Sequence, residues 1–214
     1  MSINTVIFDL DGTLLDTIED IANSVNYVML ECGFYFKSTQ EVQASVGNGV
    51  GMLMERLIPD GRKNPKFERS VELFKSHYST HMCKDTKPYD GITDVLKDLK
   101  LRGLKIAVVS NKFDGAVKGL CEKYFEGLID IAVGQKDEIK EKPAPDMVNE
   151  VIKKLDVNPE NCIYIGDSEV DIQTANNAGI PCLSVVWGYK DIDFLYENGA
   201  SAILYAPSDI LELL

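Results

Sequence analysis

The chain has 214 residues, 45% hydrophobic and 26% charged, with a formal net charge of −12. That length admits one large α/β domain, or a core of about 150 residues carrying a smaller insert. The acidity disfavours nucleic acid, whose binding rests on clustered Lys and Arg, and no stretch approaches the ~18 apolar residues of a membrane span.

The first element is the apolar, β-branched run 5–8, which predicts a strand buried on both faces. It stops in Asp9-Leu10-Asp11-Gly12-Thr13. A buried strand ending in two carboxylates needs a metal ion, a cation or solvent to compensate them, unless the segment is simply an acidic turn. Gly12 permits a tight turn and close backbone approach, and its N–H can face an anion. From Ile18 the apolar spacing becomes helical, with Glu19 and Asp20 in the first turn and Gly33 as the stop. Helical stretches at 39–46, 49–58 and 65–81 follow, with no strand evident between Leu14 and Met82. The loop Gly47-Asn48-Gly49-Val50-Gly51 is either a ligand-approaching loop or a plain turn between helices. His77 and His81 stand at i and i+4 but lack matching acids, so a structural role is expected of them.

From Pro88 the pattern alternates. A helix over 92–99 stops at Gly103. A buried strand over 105–109 runs into Ser110-Asn111-Lys112, where Ser110-Asn111 reads as a helix-cap pair or as ligand donors. A helix around Val117–Cys121, a strand at 128–133 and an amphipathic helix at 144–155 come next. Lys142 precedes two prolines bracketing Ala144, which place it just before that helix. A strand over 162–165 ends in Gly166-Asp167-Ser168, and a helix from there reaches Gly179. Asp171 stands at i+4 from Asp167, where side chains lean back toward the N-terminus; dipole compensation is the alternative for the pair. Strands at 181–186 and 202–205 finish the chain. The cysteines at 32, 83, 121, 162 and 182 form no Cys-x-x-Cys pair and predict buried thiols in a reducing compartment. Together with the lack of a basic-then-apolar N-terminus, this predicts a soluble, cytoplasmic protein with no membrane partner.

Strands alternating with helices predict a Rossmann-like parallel α/β sheet. The helical block is too long for one crossover, so an all-helical insert at 15–83 is expected within an α/β core of 1–14 and 84–214. In such a sheet the carboxyl ends of the strands share one edge. That edge would gather Asp9, Asp11, Ser110, Asn111, Lys142, Asp167 and Asp171. Several carboxylates at close range cannot all ionise without a cation. An all-oxygen ligand set suits Mg²⁺. Metal, lysine, hydroxyl and amide donors together are what a transferring phosphoryl group requires.

The motifs Asp9-Leu10-Asp11-Gly12-Thr13, Ser110-Asn111, Lys142 and Gly166-Asp167-Ser168-Glu169-Val170-Asp171, in that order, resemble the haloacid dehalogenase superfamily of phosphotransferases. Within it the chain most resembles the phosphoglycolate phosphatases, through Val46-Gly47-Asn48-Gly49, Pro88-Tyr89-Asp90-Gly91 and Trp187-Gly188-Tyr189. The resemblance implies a cytoplasmic Mg²⁺-dependent phosphatase acting on a small phosphorylated metabolite, 2-phosphoglycolate first, as monomer or homodimer. Asp9 would be the nucleophile and Asp11 the general acid and base. Asp11, Gly12, Ser110, the Asn111 amide and Lys142 would hold the phosphoryl group. Asp9, the Asp11 carbonyl, Asp167 and Asp171 would hold the metal, Asp171 through water. From the cap, Gly47 and Asn48 would meet the substrate, with Arg56 a weaker candidate, and cap closure would exclude water. Pyrophosphatase and broad nucleotide or sugar phosphatase activity are the alternatives. A β-phosphoglucomutase-type mutase is disfavoured because Ile21 and Val50 stand where that group has a His and an Arg. A phosphoryl-accepting receiver domain is disfavoured by the helical insert and by an acceptor on the first strand.

Overall fold

The computed structural model describes residues 3–214, so residues 1 and 2 of the expected core lie outside it. Strand β1 (Thr5–Phe8) is fully buried, as a run apolar on both faces requires. After the Asp9–Thr13 turn comes a two-residue strand, β2 (Leu15–Asp16). Four helices follow: α1 (Ile18–Cys32), α2 (Thr39–Ser45), α3 (Gly49–Leu57) and α4 (Phe67–His81). A second two-residue strand, β3 (Lys87–Pro88), pairs with β2. The alternating part comprises α5 (Ile92–Leu101), β4 (Lys105–Phe113), α6 (Asp114–Phe125), β5 (Ile131–Gln135), α7 (Asp146–Leu155), β6 (Cys162–Gly166), α8 (Glu169–Ala178), β7 (Cys182–Val185), α9 (Ile192–Glu197), β8 (Ile203–Leu204) and α10 (Asp209–Leu213).

The chain divides into two compact units. One runs to Asp16 and resumes at Pro88–Leu214; the other is Thr17–Lys87. The sequence expectation set these boundaries a few residues earlier, because the short strands β2 and β3 carry no apolar run of their own. In the first unit a six-stranded sheet has the order β5-β4-β1-β6-β7-β8, and every pairing is parallel. The chain leaves β1 toward β4 and β5, then returns to its other side for β6. This reversal opens a crevice at the carboxyl end of β1. Ile7, Val109, Val133, Met147, Val151 and Tyr164 belong to the core on one face of the sheet. Each such buried aliphatic or aromatic side chain contributes about 1.5–3 kcal/mol.

In the second unit α1 packs on α4, burying Val25, Val28 and Met29 from one and Phe74 and Tyr78 from the other. Gly33 closes α1 in the left-handed conformation (φ 71°), which costs a glycine little. Asp20 does more than face a helix dipole. Its buried carboxylate accepts the N–H groups of Lys84 (3.1 Å), Asp85 (3.1 Å) and Thr86 (2.9 Å), fixing the end of the unit to its beginning. His77 and His81 stack on each other at 3.9 Å, and Tyr27 stacks on His77 at 4.2 Å. Ser24 Oγ lies 3.0 Å from His77 Nδ1. This is a packed aromatic ladder, and burial depresses the His77 pKa.

Three elements depart from the sequence reading in ways that matter at the site. Strand β4 does not stop at Val109 but continues to Phe113, with its register against β5 shifting between those residues. Ser110-Asn111 therefore lies inside a bulged strand and caps nothing; Phe113 is the residue before α6. Gly134 on β5 makes the bulge possible. A Cβ there would stand 2.6 Å from both Lys112 O and Asp114 Cα, closer than atoms can approach. Helix α7 begins at Asp146, with Pro145 as its N-cap, so Lys142 sits in a loop rather than beside the helix end. Strand β5 lies at Ile131–Gln135, later than the expected 128–133.

Candidate active site

Asp9 follows β1 directly and its N–H donates to Ile165 O at 2.9 Å, which seats it in the crevice between β4 and β6. Asp9, Asp167 and Asp171 are all buried, and one carboxylate oxygen from each lies within 4.8 Å of the others. The loop before α7 brings in Lys142. Its ammonium is 2.7 Å from Asp171 Oδ1, 3.0 Å from Asp9 Oδ1 and 3.1 Å from the Tyr164 hydroxyl. The Tyr164 hydroxyl in turn points at Val109 O (3.1 Å) and Asp171 Oδ1 (3.2 Å). Residues that sequence spacing scatters over more than 160 positions thus share one crevice.

The loop carrying Lys142 is tied down by Asn111. Asn111 Oδ1 accepts the Lys142 N–H at 2.7 Å and its Nδ2 donates to Lys142 O at 3.0 Å. The Asn111 side chain is therefore a backbone clamp. Ser110 is buried, and its Oγ accepts the Lys112 N–H at 3.3 Å. Gly12 needs its positive φ (84°), and its N–H donates to Leu15 O at 2.9 Å within the turn. What Gly12 supplies is room. A Cβ there would stand 2.3 Å from Asp167 Oδ2, and one on Gly188 would stand 2.4 Å from both Gly12 O and Asp167 Cβ. Two glycines thus close on Asp167, whose Oδ2 also accepts the Tyr189 N–H at 2.7 Å. Trp187 Nε1 donates to Thr13 O at 3.0 Å and fixes the same loop to the first turn.

Asp11 stands apart from the buried trio. Its Oδ1 is 2.8 Å from Lys112 Nζ. Asp171 has both oxygens engaged: Oδ1 by Lys142, and Oδ2 by the Ser168 N–H (3.1 Å) and hydroxyl (2.6 Å). The capping geometry and the link to Lys142 thus coexist in one carboxylate, and its lone pairs are largely spent. Asp9 differs. Its Oδ1 is buried beside an ammonium but no donor is aligned on it as a hydrogen bond.

The electrostatics follow from this crowding. Burial, with the Asp171 and Asp11 charges, pushes the Asp9 pKa up to about 7 against the pull of Lys142. Burial and the neighbouring Asp171 and Asp9 hold Asp167 well above the usual carboxylate range. Burial alone would lower Lys142, but the Asp171 and Asp9 carboxylates override it and raise its pKa, so the ammonium keeps its charge. A crevice with more buried carboxylates than ammonium groups among its hard oxygen donors fits a divalent cation such as Mg²⁺. The undonated Asp9 oxygen and the glycine-walled Asp167 are where the donors remain available.

In the second unit, Gly47 has a positive φ of 122°, and Asn48 precedes α3 without capping it. Arg56 organises this loop by donating to Ser45 O (3.0 Å) and to Asn48 Oδ1 (2.8 Å). The Asn48 carbonyl is thereby consumed, which leaves its Nδ2 as the group it can offer. Sequence reasoning overlooked three site residues. Tyr164 lies in the apolar run 162–165, Lys112 appeared only as the last residue of Ser110-Asn111-Lys112, and Ser168 only within Gly166-Asp167-Ser168, although the Ser-x-x-Asp spacing of a capping box was there to find it.

A parallel sheet whose central crevice gathers a buried carboxylate trio, a charged lysine and a bulged Ser-Asn-Lys strand defines an α/β enzyme built to handle phosphoryl groups. The chain belongs to the haloacid dehalogenase-like hydrolases, whose family model matches residues 6–185. It is 33% identical over 211 residues to the phosphoglycolate phosphatase of Aquifex aeolicus, covering 98% of this chain and 95% of that protein. It is 31% identical to the phosphoglycolate phosphatase of Thiobacillus denitrificans, covering 95% and 96%. A crystal structure from Lactobacillus delbrueckii subsp. bulgaricus, assigned as a phosphoglycolate phosphatase, matches with a TM-score of 0.94 at 36% identity over 100% of this chain and 98% of that one. The chain is accordingly a phosphoric monoester hydrolase similar to phosphoglycolate phosphatases. No described helix is long and apolar enough to cross a membrane.

Proposed function

We propose that this enzyme hydrolyses 2-phosphoglycolate, with Mg²⁺, through a phosphoryl group carried on Asp9. The observation that carries this reading is the buried Asp9 carboxylate at the end of β1, its Oδ1 3.0 Å from the Lys142 ammonium and one of its oxygens within 4.8 Å of carboxylate oxygens of Asp167 and Asp171. A carboxylate so placed can attack an electrophile whose charge the same cation offsets. The Asp9 carboxylate attacks phosphorus in line with the ester bond, and the P–O bond to glycolate breaks as the acyl-phosphate bond forms. Asp11 gives a proton to the departing ester oxygen, then takes one from the water that attacks phosphorus and restores the Asp9 carboxylate. Inorganic phosphate and glycolate are the products. Lys142 holds positive charge against the phosphoryl oxygens throughout. Ser110 and the Asn111 amide supply donors from the bulged strand. Held by Asp9 and Asp167, with the Asp11 carbonyl and Asp171 behind them, Mg²⁺ would neutralise the carboxylates and polarise the phosphoryl oxygens. Similarity to the phosphoglycolate phosphatases of Aquifex aeolicus and Thiobacillus denitrificans supports 2-phosphoglycolate as the substrate.

The test is turnover across a panel of phosphate esters that includes pyrophosphate and glucose phosphates. With Mg²⁺ present, kcat/KM should be highest for 2-phosphoglycolate, with many turnovers per chain. Activity should vanish in EDTA and return on adding Mg²⁺. A higher value for pyrophosphate would overturn the substrate, a single stable phosphorylation per chain would overturn hydrolysis, and full activity in EDTA would overturn the metal.

A further inference from the structure

Resting on the phosphoglycolate reading, we propose that Lys112 determines specificity by binding the carboxylate of the leaving group. Lys112 is an unusual residue to find where it is. It is 9% exposed, on a bulge of β4 that exists because Gly134 opposite it has no side chain. Its ammonium is 2.8 Å from Asp11 Oδ1, the two side chains being 6% and 12% exposed. A buried ion pair recovers little more than its desolvation cost, so stability gives no strong reason to place an ammonium here.

Chemistry gives one. In the proposed mechanism Asp11 stands against the ester oxygen that leaves. In 2-phosphoglycolate the carboxylate carbon is two bonds from that oxygen. A cation touching Asp11 is therefore within reach of the carboxylate once the ester oxygen has approached Asp11. Lys142, the other ammonium in the crevice, is committed to Asp9 and Asp171 on the phosphoryl side. Division of labour follows: Lys142 for the phosphoryl group and Lys112 for the carboxylate. The net charge of −12 makes a local cation for a second substrate anion all the more necessary. A neutral leaving group gains nothing from Lys112, so the residue discriminates by differential binding of the anionic one.

The experiment compares 2-phosphoglycolate with ethyl phosphate, which has a methyl group in place of the carboxylate, on the Mg²⁺-loaded wild type, Lys112→Met, Lys112→Gln and Lys112→Arg. The wild type should prefer 2-phosphoglycolate. Lys112→Met should lower kcat/KM for 2-phosphoglycolate about 100-fold more than for ethyl phosphate, chiefly through KM, beyond whatever loss its contact with Asp11 imposes on both esters. Lys112→Gln keeps a polar donor beside Asp11 without the charge; it should lose the preference too, and it reads the result if the Met variant fails to fold. Lys112→Arg should retain most of the preference. Equal losses on both esters in Met and Gln would overturn the proposal and reduce Lys112 to a support for Asp11. Preference retained in both would overturn it as well. A wild type indifferent to the carboxylate would overturn the phosphoglycolate reading itself, a result distinguishable from the other two.

Discussion

Asp9→Asn is expected to lower kcat by at least about 10⁴-fold while leaving the fold intact, because it removes the attacking oxygen and replaces it with an amide of the same shape. Its effect on stability should have the opposite sign. Burial and the neighbouring acids raise the Asp9 pKa from 3.8 to about 7. Between those values the native state holds a proton that the unfolded chain has released. Stability from this group is therefore fully present below pH 3.8 and is lost as pH rises through about 7. In metal-free protein the thermal midpoint of the wild type should fall across that window. The Asn variant, with no proton to lose at residue 9, should show a shallower fall and lie above the wild type at pH 8. Circular dichroism melts in EDTA at several pH values, with phosphate release measured in Mg²⁺, check both halves. Retained turnover would remove Asp9 as the nucleophile.

Lys142→Met should be the most destabilising of the site substitutions. The lysine side chain is 2% exposed and its ammonium lies between Asp171 and Asp9. Methionine fills nearly the same volume, so the cost is electrical rather than a cavity. Breaking one side of a buried pair costs about 3–5 kcal/mol, and urea unfolding at pH 8 without metal should register a loss of that order. Acidification should shrink the difference, since protonated carboxylates no longer need the ammonium. Turnover should fall by about 10²- to 10³-fold, as expected when a charge opposite the phosphoryl oxygens is removed. A variant as stable as the wild type at pH 8 would mean that the carboxylates find another cation.

Much of the architecture was legible because two periodicities alternate cleanly. The apolar run 5–8, the runs at 105–109 and 162–165, and the helical spacing of Met147, Val148, Val151 and Ile152 each predict an element that forms. The acids at 9, 167 and 171 and the lysine at 142 could be placed on one edge by topology alone, and the structure brings them together. What stayed hidden was local. The apolar pattern of β4 ends at Val109, so nothing in it showed that the strand runs on through a bulge to Phe113; Gly134, on a different strand, is the residue that admits it. For the same reason no role for Lys112 was legible. Hydrogen-bond assignment was equally invisible. Asn111 could have presented its side chain to an anion but clamps Lys142 instead, and the Gly12 amide turns back on Leu15. Residue type and spacing narrow what a group can bind, whereas its neighbours decide which of those options is already taken.

The acyl-phosphate at Asp9 can be caught directly. The enzyme, mixed with saturating 2-phosphoglycolate and Mg²⁺ and quenched in acid within one turnover, is reduced with borohydride, digested and sequenced by mass spectrometry. The account predicts conversion of residue 9 to homoserine, dependent on substrate, with Asp11, Asp167 and Asp171 unchanged. Conversion at one of those three instead, or none at residue 9 while phosphate is being released, would contradict it.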